Sequence, residues 1–441
     1  MERGSLNVQE PAASDAHALP GSASRRTLVA GVVGNVMEWY DFGLYGYFAP
    51  VIAGQFFPSE DRIASLIYTF GVFAAGFLMR PVGAALFGHY GDRVGRKKAL
   101  AASVILMAIP TTLIGLLPTY AQAGLLGPIL LIVMRLVQGI SVGGEYTGSM
   151  AFLVEHAPSH RRGYVGSWTA FSCVLGTLLG SGTGACVNTL LAPADLEAWG
   201  WRVPFLTGVL VGLVGLYLRF GVEETPSFKK LQESHDVAAS PLGEALGGQR
   251  RLMLLAVFLN CLNVVGFYLV YVYLSTYLSE LRPNPLSRRD ALTINTLAMI
   301  VLAIGIPLMG MLSDHIGRKP VQYAVSAGML FLAYPLYHVL ATGGFAACLA
   351  AQCVFAVLSS GIGGTLPTLL VELIPARARC SVLSLGFNLS AAIFGGAAPL
   401  VATWLIGVTG IITAPSYCVM LSAVVTLAAL VVIRETRYDS L

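Results

Sequence analysis

The chain has 441 residues, 56% of them hydrophobic and only 11% charged, with a formal net charge of +4 and a mean hydropathy of +0.72. A soluble domain carries about 25% charged residues, so a water-solvated enzyme or a nucleic-acid binder is excluded at the outset. What remains is an all-α membrane protein, with room for about twelve spans of roughly 20 to 28 residues.

In chain order, residues 1–24 are rich in Ala, Ser and Pro and lack an apolar core, which reads as a disordered cytoplasmic tail. Ser24-Arg25-Arg26 superficially resembles a twin-arginine signal. The run that follows carries Glu38 and Asp41 and no small-residue cleavage site, so a retained first span is expected. Apolar runs then predict helices over 28–54, 63–90, 99–117, 123–155, 164–190 and 202–221, and over 252–280, 290–313, 321–340, 344–374, 381–406 and 411–433. The expected organisation is a tail (1–24), a six-helix bundle (25–221), a cytoplasmic connector (222–250), a second six-helix bundle (251–434) and a short cytoplasmic tail (435–441).

Loop charges sort to one side. With both termini cytoplasmic, Arg93, Arg96, Lys97, Lys98, Arg161, Arg162, Arg250, Arg251, Arg318, Lys319, Arg377 and Arg379 all lie inside. The other side keeps mainly Arg62, Arg202, Arg282, Arg288 and Arg289, which is the positive-inside bias of a multi-pass inner-membrane protein. Of the seven cysteines, all but Cys380 fall in apolar runs and none forms a CxxC pair, so they read as small core residues.

The two halves repeat. Gly88-His-Tyr-Gly-Asp92-Arg93-Val-Gly95-Arg96-Lys97 recurs at one constant offset as Gly310-Met-Leu-Ser-Asp314-His315-Ile-Gly317-Arg318-Lys319. Val154-Glu155-His-Ala-Pro158 likewise returns as Val371-Glu372-Leu-Ile-Pro375. A parallel duplication of six helices is one transporter layout, with substrate held near the midplane between the halves.

The GxxxDRxGRK loop resembles the signature that follows the second helix in the major facilitator superfamily, and its second copy falls after the eighth. Gly34-Asn35-Val-Met-Glu38-Trp39-Tyr40-Asp41-Phe42, Arg80-Pro81-Val-Gly83, Gln138-Gly139-Ile-Ser-Val-Gly143-Gly144-Glu145-Tyr146 and Trp199-Gly-Trp201-Arg202-Val-Pro204-Phe205 resemble the metabolite:proton symporter family. The first and third of these segments are most similar to its proline/betaine branch. The resemblance implies a proton-coupled importer of a small carboxylate-bearing metabolite, powered by the proton gradient, with no cofactor, the lipid bilayer as its setting and a monomeric state.

Ionisable groups inside a span are costly unless paired or hydrated, so each marks a candidate site. Glu38 and Asp41 are three residues apart on one helical face. Arg135, Gln138, Val142 and Glu145 fall on one stripe of the fourth helix, expected to face the interior. Asp41 opposite Arg135 makes a proton switch, since a carboxylate parted from a guanidinium in apolar surroundings takes a proton. The resemblance to proton-coupled sugar porters implies the same pair, with Glu38 beside it; the alternative is a static interhelical clamp. Arg80, Arg135, Gln138, Glu145, Tyr45, Asn263, Tyr271 and Asn388 are the substrate candidates, and tyrosines of the seventh helix would suit a quaternary ammonium.

For gating, Asp92, Arg93, Arg96, Asp314 and Arg318 sit at equivalent helix ends. Glu155 with Arg162, and Glu372 with Arg379, resemble the ExxxxxxR element of sugar porters, which pairs with the glycine-rich loop. Two other readings stay open: an antiporter or efflux pump, and a non-transporting nutrient sensor. Exporters of the superfamily often carry a glycine-proline motif in the fifth helix, whereas Gly176-Thr-Leu-Leu-Gly180-Ser-Gly182-Thr-Gly184 has no proline.

Overall fold

The computed structural model describes residues 22–94, 96–142, 145–210, 212–213, 249–375 and 379–437; for 22–34, 88–94, 96–101, 145 and 380 it describes the backbone alone. The expected N-terminal tail and connector fall almost wholly outside these residues. Among the described residues every regular element is a helix. A backbone surrounded by hydrocarbon has no water to bond to, so each segment must satisfy its amides internally.

Twelve spans follow in order. The first half holds α1 (Ser22–Tyr47, resuming as Ala49–Phe56), α2 (Arg62–Leu78, then Arg80–Val94), α3 (Arg96–Leu116), α4 (Leu126–Ser141, then Glu145–Glu155), α5 (Arg162–Leu190) and α6, which opens at Arg202–Leu206. The second half holds α7 (Arg250–Leu281), α8 (Arg288–Ile316), α9 (Arg318–Thr342), α10 (Phe345–Leu373), α11 (Ser381–Thr409) and α12 (Pro415–Val432). Nine of these, among the described residues, are long and apolar enough to cross a membrane unaided. The other three are α1, which carries Glu38 and Asp41, the shorter α3, and α6, whose description stops at residue 213.

Local chemistry sets several ends. The Asp61 carboxylate accepts the Ile63 amide at 2.8 Å to start α2, and the Ser287 hydroxyl accepts the Asp290 amide at 3.0 Å to start α8. Gly410, in the left-handed region at φ 68°, stops α11 ahead of Pro415 at the head of α12. Large apolar side chains such as Leu210, Phe331, Leu421 and Val431 point outward, as a lipid-facing belt requires.

The halves meet along two seams, α5 against α8 and α2 against α11. Within the first half, α2 and α4 come together at glycines. A Cβ on Gly139 would stand 1.9 Å from the Gly76 carbonyl oxygen, so the two backbones touch there. That contact brings Arg80 and Arg135, borne by these helices, to the same depth. Gly139→Val should cost about 1–3 kcal/mol through overpacking, read as a fall of several degrees in the melting temperature of the detergent-solubilised protein. Unchanged melting would show that the helices are not held this close.

Candidate functional site

Two arginines lie in the centre of the membrane-spanning region, each only 1% exposed. Both rest on aromatic rings rather than in water. The Arg80 guanidinium carbon is 4.2 Å from the Phe77 ring centre and 4.5 Å from that of Phe42. The Arg135 carbon is 4.4 Å from the Tyr45 ring centre and 4.9 Å from Phe42. Phe42 therefore stands between the two cations, giving each a π-face while keeping them apart.

The countercharges come from one helix. Glu38 of α1 is 4.0 Å from Arg80. Asp41 does not meet Arg135 directly, contrary to the expected pair; two side chains stand between them. The Thr111 hydroxyl of α3 donates to the Asp41 carboxylate. Gln138 of α4 donates to Thr111 at 2.6 Å and accepts Arg135 Nη1 at 2.9 Å. A carboxylate and a guanidinium are thus coupled through a neutral relay, which transmits charge without closing a salt bridge.

A central cavity lies between the halves. Its walls are aromatic and apolar, including Trp39 of α1, Tyr146 of α4, Phe267 and Tyr268 of α7 and Phe387 of α11, and its polar points are few: Arg80, Asn263, Ser359 and the tyrosine hydroxyls. That is the make-up of a small-molecule site. Trp39 packs edge-on to Phe267 at 5.2 Å, and Tyr146 sits 4.6 Å from Phe387, so aromatic contacts join the halves across the cavity. Arg80 Nε and Nη2 have no hydrogen-bond partner among the described residues, an unusual state for buried donors. At Tyr268–Tyr273 in α7 and Ala391–Gly395 in α11 the helices widen into π-turns, a form that recurs at functional positions. Tyr268 and Ala391, the first residues of these turns, both line the cavity.

Of the substrate candidates, Arg80 and Asn263 line the cavity. Arg135 and Gln138 are buried among α1, α2 and α3 instead, so this described part of the α4 stripe does not line it. Regular helix ends at Ser141, with Val142 extended. Tyr45 supports Arg135 and donates to the Thr69 carbonyl at 3.0 Å. Tyr271 is buried directly behind the cavity wall, its ring 5.6 Å from that of the lining Phe267, and its carbonyl accepts the Tyr47 hydroxyl at 2.8 Å. Asn388 donates back to the Ser384 carbonyl at 2.9 Å and does not line the cavity. The side chain of Glu145 lies outside the described residues. Thr111 was not among the candidates, because one threonine in an apolar span carries no distinguishing mark. Phe267 and Phe387 are equally silent in the sequence.

The face bearing the repeated loops is tied shut across the seam. Asp314 of α8 accepts the amides of Gly163 and Tyr164, at 2.8 and 2.9 Å, in the first turn of α5. An anion at that positive helix end is favoured by its dipole. The approach is close: a Cβ on Gly163 would stand 2.5 Å from the Gly310 carbonyl oxygen. Arg318 binds Asp314 at 2.8 Å and Glu372 at 3.2 Å, so the second ExxxxxxR glutamate does meet its own glycine-rich loop. Glu155, however, crosses to Arg379 of the other half at 2.6 Å. Arg162 lies within electrostatic range of Glu372, again across the seam. Beyond α12, Glu435 accepts the amides of Arg318 and Lys319, both at 2.9 Å. The side chains of Asp92, Arg93 and Arg96 lie outside the described residues.

The opposite face is tied as well. Arg62 of α2 meets Glu280 of α7 at 3.1 Å, and Arg288 joins Glu280 and Glu197, each at 3.2 Å. Ion pairs thus join the two halves on both faces of the bundle.

The chain is similar to known proteins in sequence and in fold. The family profile described as Sugar (and other) transporter matches residues 27–247 and, in a second stretch, 227–441. The glycine betaine/proline/ectoine/pipecolic acid transporter OusA of Dickeya dadantii (strain 3937) is 35% identical over 442 residues, covering 97% of this chain and 87% of that one. The proline/betaine transporter of Escherichia coli (strain K12) is 34% identical over 425 residues, covering 93% and 84%. Among solved structures, the xylose transporter XylE from E. coli in a partially occluded inward open conformation matches with a TM-score of 0.77 at 18% identity, over 96% of this chain and 100% of that one. A crystal structure of the D-xylose-proton symporter matches at 0.75 and 20% identity, over 95% and 100%. At such identity the structural likeness is one of fold.

The loop-face ties differ in strength. Asp314→Asn removes a buried charge from two amides and a guanidinium, and should raise the population open on that face about tenfold, for a loss of about 1–2 kcal/mol. Glu155, with a side chain 40% exposed, should matter less when changed to Gln. Spin-label distances between positions 156 and 316 report the opening; equal effects of the two substitutions would contradict this ranking.

Proposed function

Because the chain belongs to the Sugar (and other) transporter family of the major facilitator superfamily, a family of carriers and not enzymes, we propose that it is a proton-coupled symporter importing a small zwitterion that bears a carboxylate. The observation behind the substrate class is Arg80, a buried guanidinium whose Nε and Nη2 make no hydrogen bond among the described residues and whose carboxylate neighbour Glu38 stands 4.0 Å away, on a largely aromatic and apolar wall. One carboxylate would satisfy it. A methylated or ring ammonium would lie against Trp39, Tyr146 and Tyr268, whose faces attract cations by about 1–2 kcal/mol when desolvated. The names borne by the proline/betaine relatives agree with this chemistry. A di- or tricarboxylate would need a second cation, and among the described lining residues Arg80 stands alone.

Coupling follows from charge balance. Two guanidiniums face two carboxylates, so the empty site is neutral. A proton on Asp41 leaves Arg135 without its compensating charge at the end of the Thr111–Gln138 relay. An uncompensated buried cation is strongly unfavourable. A substrate carboxylate on Arg80, with only Phe42 between it and Arg135, places negative charge near both guanidiniums while its ammonium stays on the aromatic wall, so proton and substrate load together. Opening toward the outside breaks Arg62–Glu280 and Arg288–Glu197; opening toward the cytoplasm breaks Asp314 from α5 and Glu155 from Arg379. The basic loops support a topology in which the repeated-motif face and both termini are cytoplasmic, in a cell inner membrane. One chain holds the whole pathway, so a monomer suffices.

In proteoliposomes, Asp41→Asn should abolish uptake of glycine betaine or L-proline driven by a pH gradient, by at least about tenfold, while sparing counterflow exchange. Accumulation that persists and stays pH-dependent would overturn the coupling. Trp39→Ala should weaken glycine betaine binding about tenfold and leave any dicarboxylate binding unaffected; tight binding of citrate or α-ketoglutarate in calorimetry would favour the organic-acid reading instead.

A further inference from the structure

A second, much smaller cavity lies inside the first half between α1, α3, α4 and α6. Its walls include Glu38 and Asp41 together with Ser103 and Ser141, and neither buried arginine. The central cavity shows the reverse: Arg80 stands on its wall, and neither carboxylate does. Helix α1 is therefore a partition. Trp39 projects to the central side, while Met37, Glu38 and Asp41 project to the lateral side, as the turn of about 100° per residue dictates.

We infer that protons reach and leave Glu38 and Asp41 as water-borne charge through this lateral cavity, by a route separate from the one the substrate takes. The inference rests on the proton-coupled reading above. Asp41 Oδ1 is buried and has no hydrogen-bond partner among the described residues. A buried carboxylate oxygen without a donor is uncommon, and a water in the adjoining space supplies one. The cavity is polar enough to hold water, with two carboxylates and two hydroxyls on its wall, and it has room for about one or two molecules.

The groups facing the carboxylates set where the proton stops. Arg80 of α2 stands by Glu38, and Arg135 of α4 acts on Asp41 through the relay. Tyr40 of α1 lies near Asp41, while Tyr146 of α4 and Tyr268 of α7 lie near Glu38. Among the described residues, α3 and α6 bring no charged side chain to the cavity. A hydrated proton entering there meets carboxylates first and guanidiniums only behind them. Substrate and proton then never compete for the same space, and bound substrate need not seal the proton in.

Two measurements test this. Ser103→Leu and Val104→Phe fill the cavity from α3 without touching the central site. Both should reduce glycine betaine uptake driven by a pH gradient about tenfold, with counterflow exchange kept within about twofold. Uptake and exchange both unchanged, or both lowered in proportion, would overturn the separate route. The second measurement uses the unaltered protein. After transfer to D2O at a pH where the carboxyl is protonated, its infrared band should shift as fast with saturating glycine betaine as without; Asp41→Asn identifies the band. Exchange slowed more than about tenfold by the substrate would place proton access in the central cavity. If wild-type uptake ignores the pH gradient altogether, the symport reading itself fails. If it follows the gradient while the filled variants match it, only the lateral route fails.

Discussion

Two guanidinium ions buried in a hydrocarbon-embedded bundle constrain the rest of the first half. A charge at that depth costs at least several kcal/mol without a partner. Here the cost is met by three arrangements: aromatic faces from Phe42, Tyr45, Phe73 and Phe77, carboxylates at Glu38 and Asp41, and the hydroxyl–amide relay through Thr111 and Gln138. Each requires α1, α2, α3 and α4 at close range and fixed rotation. The glycine contact between α2 and α4 supplies that range. Loosening it would separate the arginines from the helix that neutralises them, so packing and electrostatics stand or fall together.

The duplicated loops show how one sequence element gains different partners in its two copies. In the second half Arg318 gathers Asp314 and Glu372 at a fully buried node, and Asp314 also holds the head of α5. Glu155, the counterpart of Glu372, is half exposed and reaches over the seam to Arg379. The buried node is stiff because each of its three charged groups is held by several hydrogen bonds in low dielectric. The exposed bridge is weak and salt-sensitive. Closure on this face therefore depends mainly on the α8–α5 contact, with the bridge as a minor contribution.

Much of this was legible before any coordinates. Apolar runs of membrane length located the spans within a few residues: 344–374 was expected where α10 runs Phe345–Leu373, and 290–313 where α8 runs Arg288–Ile316. The miss at the start of α12 has a plain cause. Ile411 and Ile412 prolong the apolar run, but Gly410 has already ended α11 and Pro415 sets the next first turn. In the site, the charges announced themselves because hydrocarbon makes each one conspicuous. Their pairing did not, since a threonine or glutamine that joins two charges looks like any other in the chain. Asn388 and Tyr271 stand behind the wall rather than on it, because polarity within a span says that a side chain needs a partner, not that it faces the cavity.

The two halves contribute unequally to the central cavity. The second half lends it aromatic, aliphatic and small polar groups from α7, α8, α10 and α11, none of them charged, whereas Arg80 and the acidic residues behind it come from the first half alone. Residues that set the shape of the chamber can thus change without altering its charge balance. A lineage could exchange Phe267, Phe387 or Ser359 to admit bulkier or leaner solutes and leave the charged cluster of the first half as it stands, much as a fitting is swapped on a common drive.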